Sequence, residues 1–458
     1  MSAAIFAIRC RYWMYLMIGL SLSLCTVLHA SVATTLGASV EIPPSMARIT
    51  SGNSGSFSPA ISADGRFIAF TSTSSDLVVD DTNNAFDVFV YDRLTTQTTL
   101  VSGTSTGIPG NNDSTNPVIS ADGRYIAFVS DADNLVSNDT NGQLDVFVYD
   151  QQTGRTVRVS VASNGVQGNA FSSFATISAD GQQIAFVSAA DNLVRDDTNG
   201  LWDIFVYHQG TRTTERVSIS QDSQQSNNNS AYPSISADGR YVAFASFATN
   251  LVPQETNDVI QIFVRDRESG TTELVSNGVD GAAGDNDSTE TVISNDGRYI
   301  AFRSVATNLV PNDSNEHQDI FVYDQEVEQT ELVSVSSEGV QGDSSAIFFD
   351  LSSDGRFVVF TSAATNLVPT DTNGAENVFL RDRIETTTDI ISNLSVNDPP
   401  ALASSQPSVS TDGRFIAFQS LLNLTPDDTN TIEDIFVYDR GGIEPEPELR
   451  IYLPFVKR

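Results

Sequence analysis

The sequence predicts an all-β protein, a seven-bladed β-propeller with four antiparallel strands in each blade. Three observations lead to it: a motif repeated seven times, the strand-and-turn composition of each repeat, and an N-terminal segment that matches the strand missing at the C-terminal end. The motif centres on an Asp-Gly pair whose copies lie 58 residues apart, at Asp64, Asp122, Asp180, Asp238, Asp296, Asp354 and Asp412. A fixed period of this kind is the signature of a repeat architecture.

Each repeat has the composition of four short strands separated by turns. In the second repeat we predict strands at 116–120, 124–130, 145–150 and 156–160. These segments are rich in β-branched and aromatic residues and are bounded by turn residues. The pair Asp122-Gly123 favours a tight turn between the first two strands, because glycine readily adopts a positive φ.

The two faces of the strands indicate that every blade is covered on both sides. In the second strand Ile126 and Phe128 share one face, and Tyr125, Ala127 and Val129 share the other. A sheet packed on one side only would alternate apolar and polar residues, so we predict that each unit lies between two others. Two complete phenylalanine series are assigned to this packing: Phe70, Phe128, Phe186, Phe244, Phe302, Phe360 and Phe418, and Phe89, Phe147, Phe205, Phe263, Phe321, Phe379 and Phe436.

The two ends of the repeat array predict a closed ring. The seventh repeat stops after its third strand, at 434–439, without a fourth. The segment 47–51, which precedes the first repeat, resembles the fourth strands that begin at Glu215 and Glu331. We therefore predict that this N-terminal strand completes the last blade and leaves no free sheet edge. An open solenoid is the alternative.

The repeated residues carry a family resemblance. The pattern Pro-x-Ile-Ser-x-Asp-Gly-Arg-x-Ile-Ala-Phe, followed by Asp-Ile-Phe-Val-Tyr-Asp, resembles the WD40-like (PD40) repeat of TolB-type β-propellers over about residues 46–440. The resemblance implies a propeller that serves as a periplasmic scaffold subunit, a sensor or adhesion module, or part of a peptidase or polysaccharide lyase. A peptidase of that kind would need an added α/β-hydrolase domain, which we do not expect in this chain.

The segments outside the repeats predict an exported protein. Arg9 and Arg11, an apolar run and the small residues before Ala33 have the layout of an export signal, with an uncleaved membrane anchor as the alternative. The predicted boundaries are a signal peptide or anchor at 1–33, a spacer at 34–45, the propeller at 46–440, an acidic proline-containing linker at 441–448 and a tail at 449–458. The apolar and basic tail is either a loose end or a sorting or retention segment. We expect a secreted protein, extracellular or periplasmic.

The charge of the chain restricts its partners. The formal net charge is -34, and Lys457 is the single lysine. Such a surface repels phosphate backbones, so we expect no nucleic-acid partner. We expect a monomer that contacts a protein or a polysaccharide at the cell envelope. Membrane contact is expected only through the N-terminal segment, if that segment stays uncleaved.

A recurring Asp-x-Asn-x-x-x-Asp pattern in the loop between the second and third strands is the candidate metal site. Five copies are complete: Asp81, Asn83 and Asp87; Asp139, Asn141 and Asp145; Asp197, Asn199 and Asp203; Asp313, Asn315 and Asp319; and Asp428, Asn430 and Asp434. Two copies depart from it, at Glu255, Asn257 and Gln261, and at Asp371, Asn373 and Asn377. Because Ca²⁺ takes six to eight oxygen ligands, these side chains could cluster around a calcium ion.

The alternative for the same loop is structural. Asp and Asn side chains would then cap the loop through hydrogen bonds to nearby backbone amides, with the asparagine in a left-handed conformation. Gln261 and Asn377 replace a carboxylate without disturbing the pattern, which favours this interpretation. In either case the rim that carries these loops is the expected contact surface, open to cations or to a basic partner.

The sequence does not predict a catalytic site. Cys10, Cys25 and His29 lie in the leader, and His208 and His317 occupy non-equivalent places in their repeats, so a thiol nucleophile or a histidine metal site is not expected. His208 is interpreted as a harmless substitution near a turn. A binding or scaffold module that requires no cofactor is the favoured interpretation. A polysaccharide lyase or glycosidase using rim carboxylates is the first alternative, and a calcium-stabilised structural surface protein is the second.

Overall fold

The chain divides into two compact units. The computed structural model describes residues 40–42, 44–79, 81–369, 374–392 and 403–444. One unit is 45–440, and the other combines 1–44 with 441–458. The predicted signal segment and tail lie outside the described residues and stay predictions. Across the described ranges there is no helix with the length and apolar character needed to cross a bilayer.

The smaller unit contains one strand pair that the sequence analysis did not anticipate. Strand β1 (Val40–Ile42) pairs antiparallel with β30 (Gly442–Glu444), inside the segments interpreted as spacer and linker. Three-residue strands are too short to produce a detectable alternation of apolar and polar residues.

The larger unit is a seven-bladed β-propeller with four antiparallel strands in each blade, as the sequence predicts. Strand β2 (Ser45–Arg48) precedes the repeats. The other strands are, for blade 1, β3 (Ser56–Ile61), β4 (Phe67–Ser72), β5 (Asp87–Asp92) and β6 (Gln97–Leu100); for blade 2, β7 (Ser114–Ile119), β8 (Tyr125–Ser130), β9 (Asp145–Asp150) and β10 (Arg155–Arg158); for blade 3, β11 (Ser172–Ile177), β12 (Gln183–Ser188), β13 (Asp203–His208) and β14 (Thr213–Arg216); for blade 4, β15 (Ser230–Ile235), β16 (Tyr241–Ser246), β17 (Gln261–Asp266) and β18 (Thr271–Leu274); for blade 5, β19 (Ser288–Ile293), β20 (Tyr299–Ser304), β21 (Asp319–Asp324) and β22 (Gln329–Leu332); for blade 6, β23 (Ala346–Leu351), β24 (Phe357–Ser362), β25 (Asn377–Asp382) and β26 (Thr387–Ile390); and for blade 7, β27 (Ser404–Val409), β28 (Phe415–Ser420) and β29 (Asp434–Asp439).

A ring of backbone hydrogen bonds joins the first strands of neighbouring blades. The amide of the residue that follows each first strand by two positions donates to the carbonyl of its equivalent in the next blade, over 3.0 to 3.2 Å. The seven residues, in order, are Ala63, Ala121, Ala179, Ala237, Asn295, Ser353 and Thr411, and Thr411 donates back to Ala63. Each of these groups is therefore both donor and acceptor, and the ring of blades closes on itself.

The last blade contains both ends of the propeller chain. Strand β2 pairs antiparallel with β29, with Ser45 opposite Asp439 and Arg48 opposite Phe436. The amide of Ile49 then donates to the carbonyl of Ile435 over 2.7 Å. The N-terminal segment thus occupies the outermost position that a fourth strand fills in the other blades.

The phenylalanine series form the packing between blades. Within each blade the two phenylalanines stack, with ring centroids 5.6 to 6.1 Å apart and interplanar angles of 22 to 29°. All fourteen are buried. Offset stacking of this kind adds about 0.5–1.5 kcal/mol per pair to the burial of apolar surface.

The Asp-Gly turns are fixed by side chains as well as by glycine. In blade 1 Gly65 has φ +70, and a Cβ there would collide with the ring of Phe415 in the neighbouring blade. Arg66 makes a two-pronged ion pair with Asp92 at the end of the third strand, with N···O distances of 2.9 and 2.7 Å. Five other blades repeat this pair.

Blade 3 replaces both members of that ion pair. Gln182 takes the place of the arginine, and His208 takes the place of the aspartate. His208 Nδ1 accepts a hydrogen bond from the amide of Thr211 over 3.2 Å, which keeps the turn capped without the ion pair.

Candidate functional site

The Asp-Asn loops are hydrogen-bonded networks in the five complete copies. In blade 1 the Asn83 amide donates to Asp87 Oδ2 and to the carbonyl of Gly110, both over 2.7 Å, while its Oδ1 accepts from the amide of Ala85. The Asn-to-Asp bond recurs over 2.8 to 3.3 Å at Asn141 and Asp145, Asn199 and Asp203, Asn315 and Asp319, and Asn430 and Asp434. In blades 1, 2, 3 and 5 the asparagine therefore also ties the loop to the next interblade segment.

The backbone of these loops differs from the structural interpretation in one detail. The left-handed residue is the one that follows the asparagine, namely Asn84, Gly142, Gly200 and Glu316 in blades 1, 2, 3 and 5. Asn257 in blade 4 is itself left-handed. The asparagine side chain accepts a bond from the residue two positions later, and this places the tight turn between them.

The carboxylates of the loops point into the protein. Asp87, Asp145, Asp203 and Asp434 are fully buried, as is Asp319 to within 1%. The side chains of Asp139, Asp197 and Asp428 are also only 2–4% exposed. A partner approaching the rim would not meet these charges, so the carboxylates do not form the surface that their sequence positions suggested.

Three blades neutralise the two aspartates with a buried arginine from the fourth strand. Arg216 contacts Asp197 over 3.2 Å and Asp203 over 3.4 Å in blade 3. Arg158 does the same in blade 2, with Asp139 and Asp145, and Arg48 in blade 7, with Asp428 and Asp434. The closing strand β2 thus brings its own arginine into the last blade.

Leucine or isoleucine replaces the arginine in the other four blades. Blade 4 has Leu274 with Gln261, and blade 6 has Ile390 with Asn377, so a neutral amide stands where the second aspartate would be. Blades 1 and 5 keep both aspartates although Leu100 and Leu332 hold the arginine position. In the described part of the chain these two acidic pairs have no arginine partner.

Burial shifts the titration of the acidic pairs that lack an arginine. It raises the pKa of Asp87 to about 6, with the charge of Asp81 adding to the shift and hydrogen bonds from Ser102 and Asn83 opposing it. Burial and the charge of Asp319 raise the pKa of Asp313 to about 6. These carboxyl groups therefore carry protons under mildly acidic conditions.

The calcium hypothesis stays a prediction. Nowhere among the described residues do three or more His, Cys, Asp or Glu side chains gather closely enough to hold a metal ion. Asp371 and Asn373, which belong to the sixth copy of the loop, lie outside the described residues. In the five complete copies the second aspartate accepts the hydrogen bond from the asparagine given above.

The second candidate site is the mouth of the central channel, which the sequence analysis missed. Every first strand contains a β-bulge, and one bulge residue per blade has a positive φ between 40 and 52°. These seven channel-mouth residues are Ser58, Asn116, Phe174, Tyr232, Glu290, Phe348 and Gln406. A left-handed residue other than glycine costs about 1–2 kcal/mol, and such strain is often found at functional sites.

The channel mouth carries different residue types in different blades, whereas the phenylalanine series is the same in all seven. The residues line a depression of about 370 Å³ together with the residues that follow them, such as Pro59 and Phe349. Each lies at the end of the blade where the second strand enters the long loop, as the pairing of Ser56 with Ser72 shows for blade 1. Binding sites of propellers and other rigid scaffolds are built from such variable positions on a uniform frame.

The channel mouth is divided into two arcs. Phe174 and Tyr232, in adjacent blades, have ring centroids 4.8 Å apart, and Phe348 is 38% exposed. On the other side Gln406, Ser58 and Asn116 follow one another in blades 7, 1 and 2. Aromatic surface therefore faces amide and hydroxyl groups across the opening.

One ion pair lies at the channel mouth. Arg303 Nη2 contacts Glu290 Oε1 over 2.9 Å, and both side chains are largely buried. Burial raises the pKa of Glu290, and the Arg303 charge opposes that shift. The pair leaves the lining without an uncompensated charge.

Alignment of the seven repeats with one another shows the channel-mouth residues as a variable position. The seven positions lie 58 residues apart, yet they carry a small polar residue, two amides, three aromatic residues and an acid. The sequence alone did not indicate that this variable position faces the axis, because the bulge that rotates it has no consensus residue.

The backbone strain at the channel mouth predicts that a glycine variant is more stable there than an alanine variant, the reverse of the usual order. At Phe348 we expect glycine to give a more stable protein than alanine, by about 1 kcal/mol, because only glycine adopts the left-handed region without steric cost. Denaturant unfolding of both variants measures the difference. At the exposed Phe247, where φ is not positive, alanine should be the more stable of the same pair. Alanine being favoured at both sites would contradict the strain at Phe348.

Several solved structures have a fold similar to that of this chain. An oligogalacturonate lyase from Vibrio parahaemolyticus is 12% identical, with a TM-score of 0.53 and coverage of 88% of this chain and 98% of that chain. The β-propeller domain of the Trilobed protease from Pyrococcus furiosus is 12% identical, with a TM-score of 0.52 and coverage of 84% and 96%. At this identity the likeness establishes the fold alone.

A third solved structure is TolB from Acinetobacter baumannii, which is 16% identical with a TM-score of 0.39 and coverage of 83% of this chain and 82% of that chain. This TM-score is too low to carry an argument. No model of a protein family matches the chain, and no curated protein sequence matches it.

Proposed function

We propose that the chain is an exported, TolB-like propeller that binds a protein or a polysaccharide at the cell envelope, and that the channel mouth is its binding site. The observation that carries the proposal is the ring of seven strained residues, in which six residue types share one position of the repeat. The leader-like composition of residues 1–33 supports export, and the propeller fold supports a scaffold or binding role. We assign no catalytic residue and no required cofactor.

The buried Asp-Asn loops have a structural role in this proposal. In blades 1, 2, 3 and 5 they join the loop after the second strand to the following interblade segment, and these connections would hold the channel-mouth frame rigid. A rigid frame lowers the entropy that binding must overcome. Calcium would reinforce the same connections if it occupied a loop.

Retention of partners from native envelope preparations tests the proposal. We expect the immobilised mature protein to retain a partner that the double variant Phe174→Ala/Tyr232→Ala no longer retains. The matched control is Phe247→Ala, which removes an exposed aromatic ring that does not line the channel mouth. Equal retention by all three proteins would show that the channel mouth is not the binding site. Turnover of a retained polysaccharide would favour the lyase or glycosidase alternative.

A further inference from the structure

We propose that the channel mouth binds the end of a neutral oligosaccharide. This inference rests on the proposed function and names the ligand class of the same site. It follows from three features of the lining: an aromatic arc, an opposing arc of uncharged polar groups, and the absence of an uncompensated charge among the described lining residues.

The aromatic arc offers flat apolar surface to a ligand. The Phe174 and Tyr232 rings contact each other at an angle of 60°, and Phe174 is 39% exposed. The hydroxyl group of Thr291 donates a hydrogen bond to the Tyr232 carbonyl over 2.8 Å, which fixes the backbone that carries this ring. A pyranose presents a face of C–H groups that packs against such rings, and rigid aromatic side chains lose little conformational entropy on binding.

The polar arc offers both donors and acceptors. Gln406 Oε1 accepts from the backbone amide and the hydroxyl of Ser58, over 3.1 and 2.9 Å, so its amide group is held in one orientation. The Asn116 side chain is exposed in the next blade. Amide and hydroxyl groups suit sugar hydroxyls, because each sugar hydroxyl also both donates and accepts.

The charges at the channel mouth favour a neutral ligand over an acidic one. An acidic saccharide would need a cation, and the arginine at the channel mouth, Arg303, is held by Glu290. The net charge of -34 also repels polyanions at a distance. Because Glu290 and Arg303 neutralise each other, the lining also offers no free charge to the charged ends of a peptide. The volume of about 370 Å³ lies at the lower end of the range of small-ligand sites, which fits a chain end better than a long segment.

Calorimetry and a glycan array on the mature protein test the inference. The probes are malto-, cello-, xylo- and N-acetylglucosamine oligomers, with galacturonate oligomers as the acidic comparison. We expect at least one neutral oligomer to bind, tenfold or more weaker binding in Tyr232→Ala and in Asn116→Ala, and unchanged affinity in Phe247→Ala. Neutral binding that survives Tyr232→Ala, or a preference for galacturonate, would overturn the inference.

The envelope experiment separates this inference from the proposed function. If no neutral oligomer binds but a retained partner still depends on Phe174 and Tyr232, the channel mouth is a binding site for another class of ligand, such as a peptide, and the carbohydrate assignment is wrong. If neither oligomers nor partners depend on these residues, both proposals fail. Circular dichroism and thermal unfolding of each variant ensure that a loss of binding is not a loss of fold.

Discussion

Replacing Arg216 by leucine is expected to lower the free energy of unfolding by about 3 kcal/mol at pH 8, because it leaves two buried carboxylates without their cation. Arg216 is 9% exposed, and its partners Asp197 and Asp203 are 3% and 0% exposed. It also donates to Gln225 and to the carbonyl of Asp196. The loss should be smaller at pH 5, where a buried aspartate can take up a proton instead.

Other blades of the same protein supply the rescue for this variant. Blade 4 combines Leu274 with Gln261, so Arg216→Leu/Asp203→Gln reproduces that pair and leaves Asp197 as the one buried carboxylate. We expect the double variant to recover about half of the lost stability, because one of the two buried charges is removed. Arg195→Leu, at an exposed position of the same blade, is the control and should change stability by less than about 0.5 kcal/mol. Denaturant unfolding at pH 5 and pH 8 measures all three. No rescue by Asp203→Gln would mean that lost packing, not lost charge, causes the effect.

Replacing Asp87 by asparagine is expected to raise the free energy of unfolding at pH 8 by about 1–2 kcal/mol, whereas Arg216→Leu lowers it. The pKa of Asp87 is raised to about 6 in the folded protein, so between about pH 4 and pH 6 the folded state binds more protons than the unfolded state. Stability from this group is therefore present at low pH and is lost as the pH rises through 6. Asparagine stays neutral, and the gain is reduced by the weaker hydrogen bonding to Asn83.

The matched control for Asp87→Asn is Asp203→Asn, the same change in a blade that has the arginine. There the substitution leaves Arg216 with one carboxylate fewer and should destabilise the protein. Thermal unfolding from pH 4 to pH 8, with and without EDTA, measures both. If EDTA lowers the stability of the wild-type protein but not of Asp87→Asn, a divalent cation occupies the blade 1 loop. If Asp87→Asn does not raise the stability at pH 8, either with or without EDTA, the raised pKa of Asp87 is contradicted.

The seven copies of the loop show how charge is matched within one fold. Two aspartates accompany an arginine in blades 2, 3 and 7, and a neutral amide accompanies an aliphatic residue in blades 4 and 6. Blades 1 and 5 depart from this rule, and in them burial raises the pKa of Asp87 and of Asp313 to about 6. This matching of charges could be recognised in the sequence only after the structure showed that the fourth-strand position of Arg216 and its equivalents faces the loop.

The amino-acid sequence by itself determined the repeat, the strand order within a blade and the packing of phenylalanines between blades. These properties depend on local turn chemistry and on apolar periodicity, both of which a linear pattern records. The Asp-Asn loops were also recognised, but their inward orientation was not, because burial of a carboxylate depends on partners such as Arg48, which lies 386 residues from Asp434 in the chain.

Only the tertiary structure showed that the residues that vary between the repeats come together at the channel mouth. The bulge in each first strand turns one residue of each repeat towards the axis, and it brings Phe174, Tyr232 and Glu290 to one opening although they lie 58 residues apart. The ring of blades makes neighbours of these residues, because closure places equivalent positions around a single channel. Strand periodicity assigns a residue to a face of its own sheet, whereas the composition of the channel mouth depends on how seven sheets are arranged around an axis.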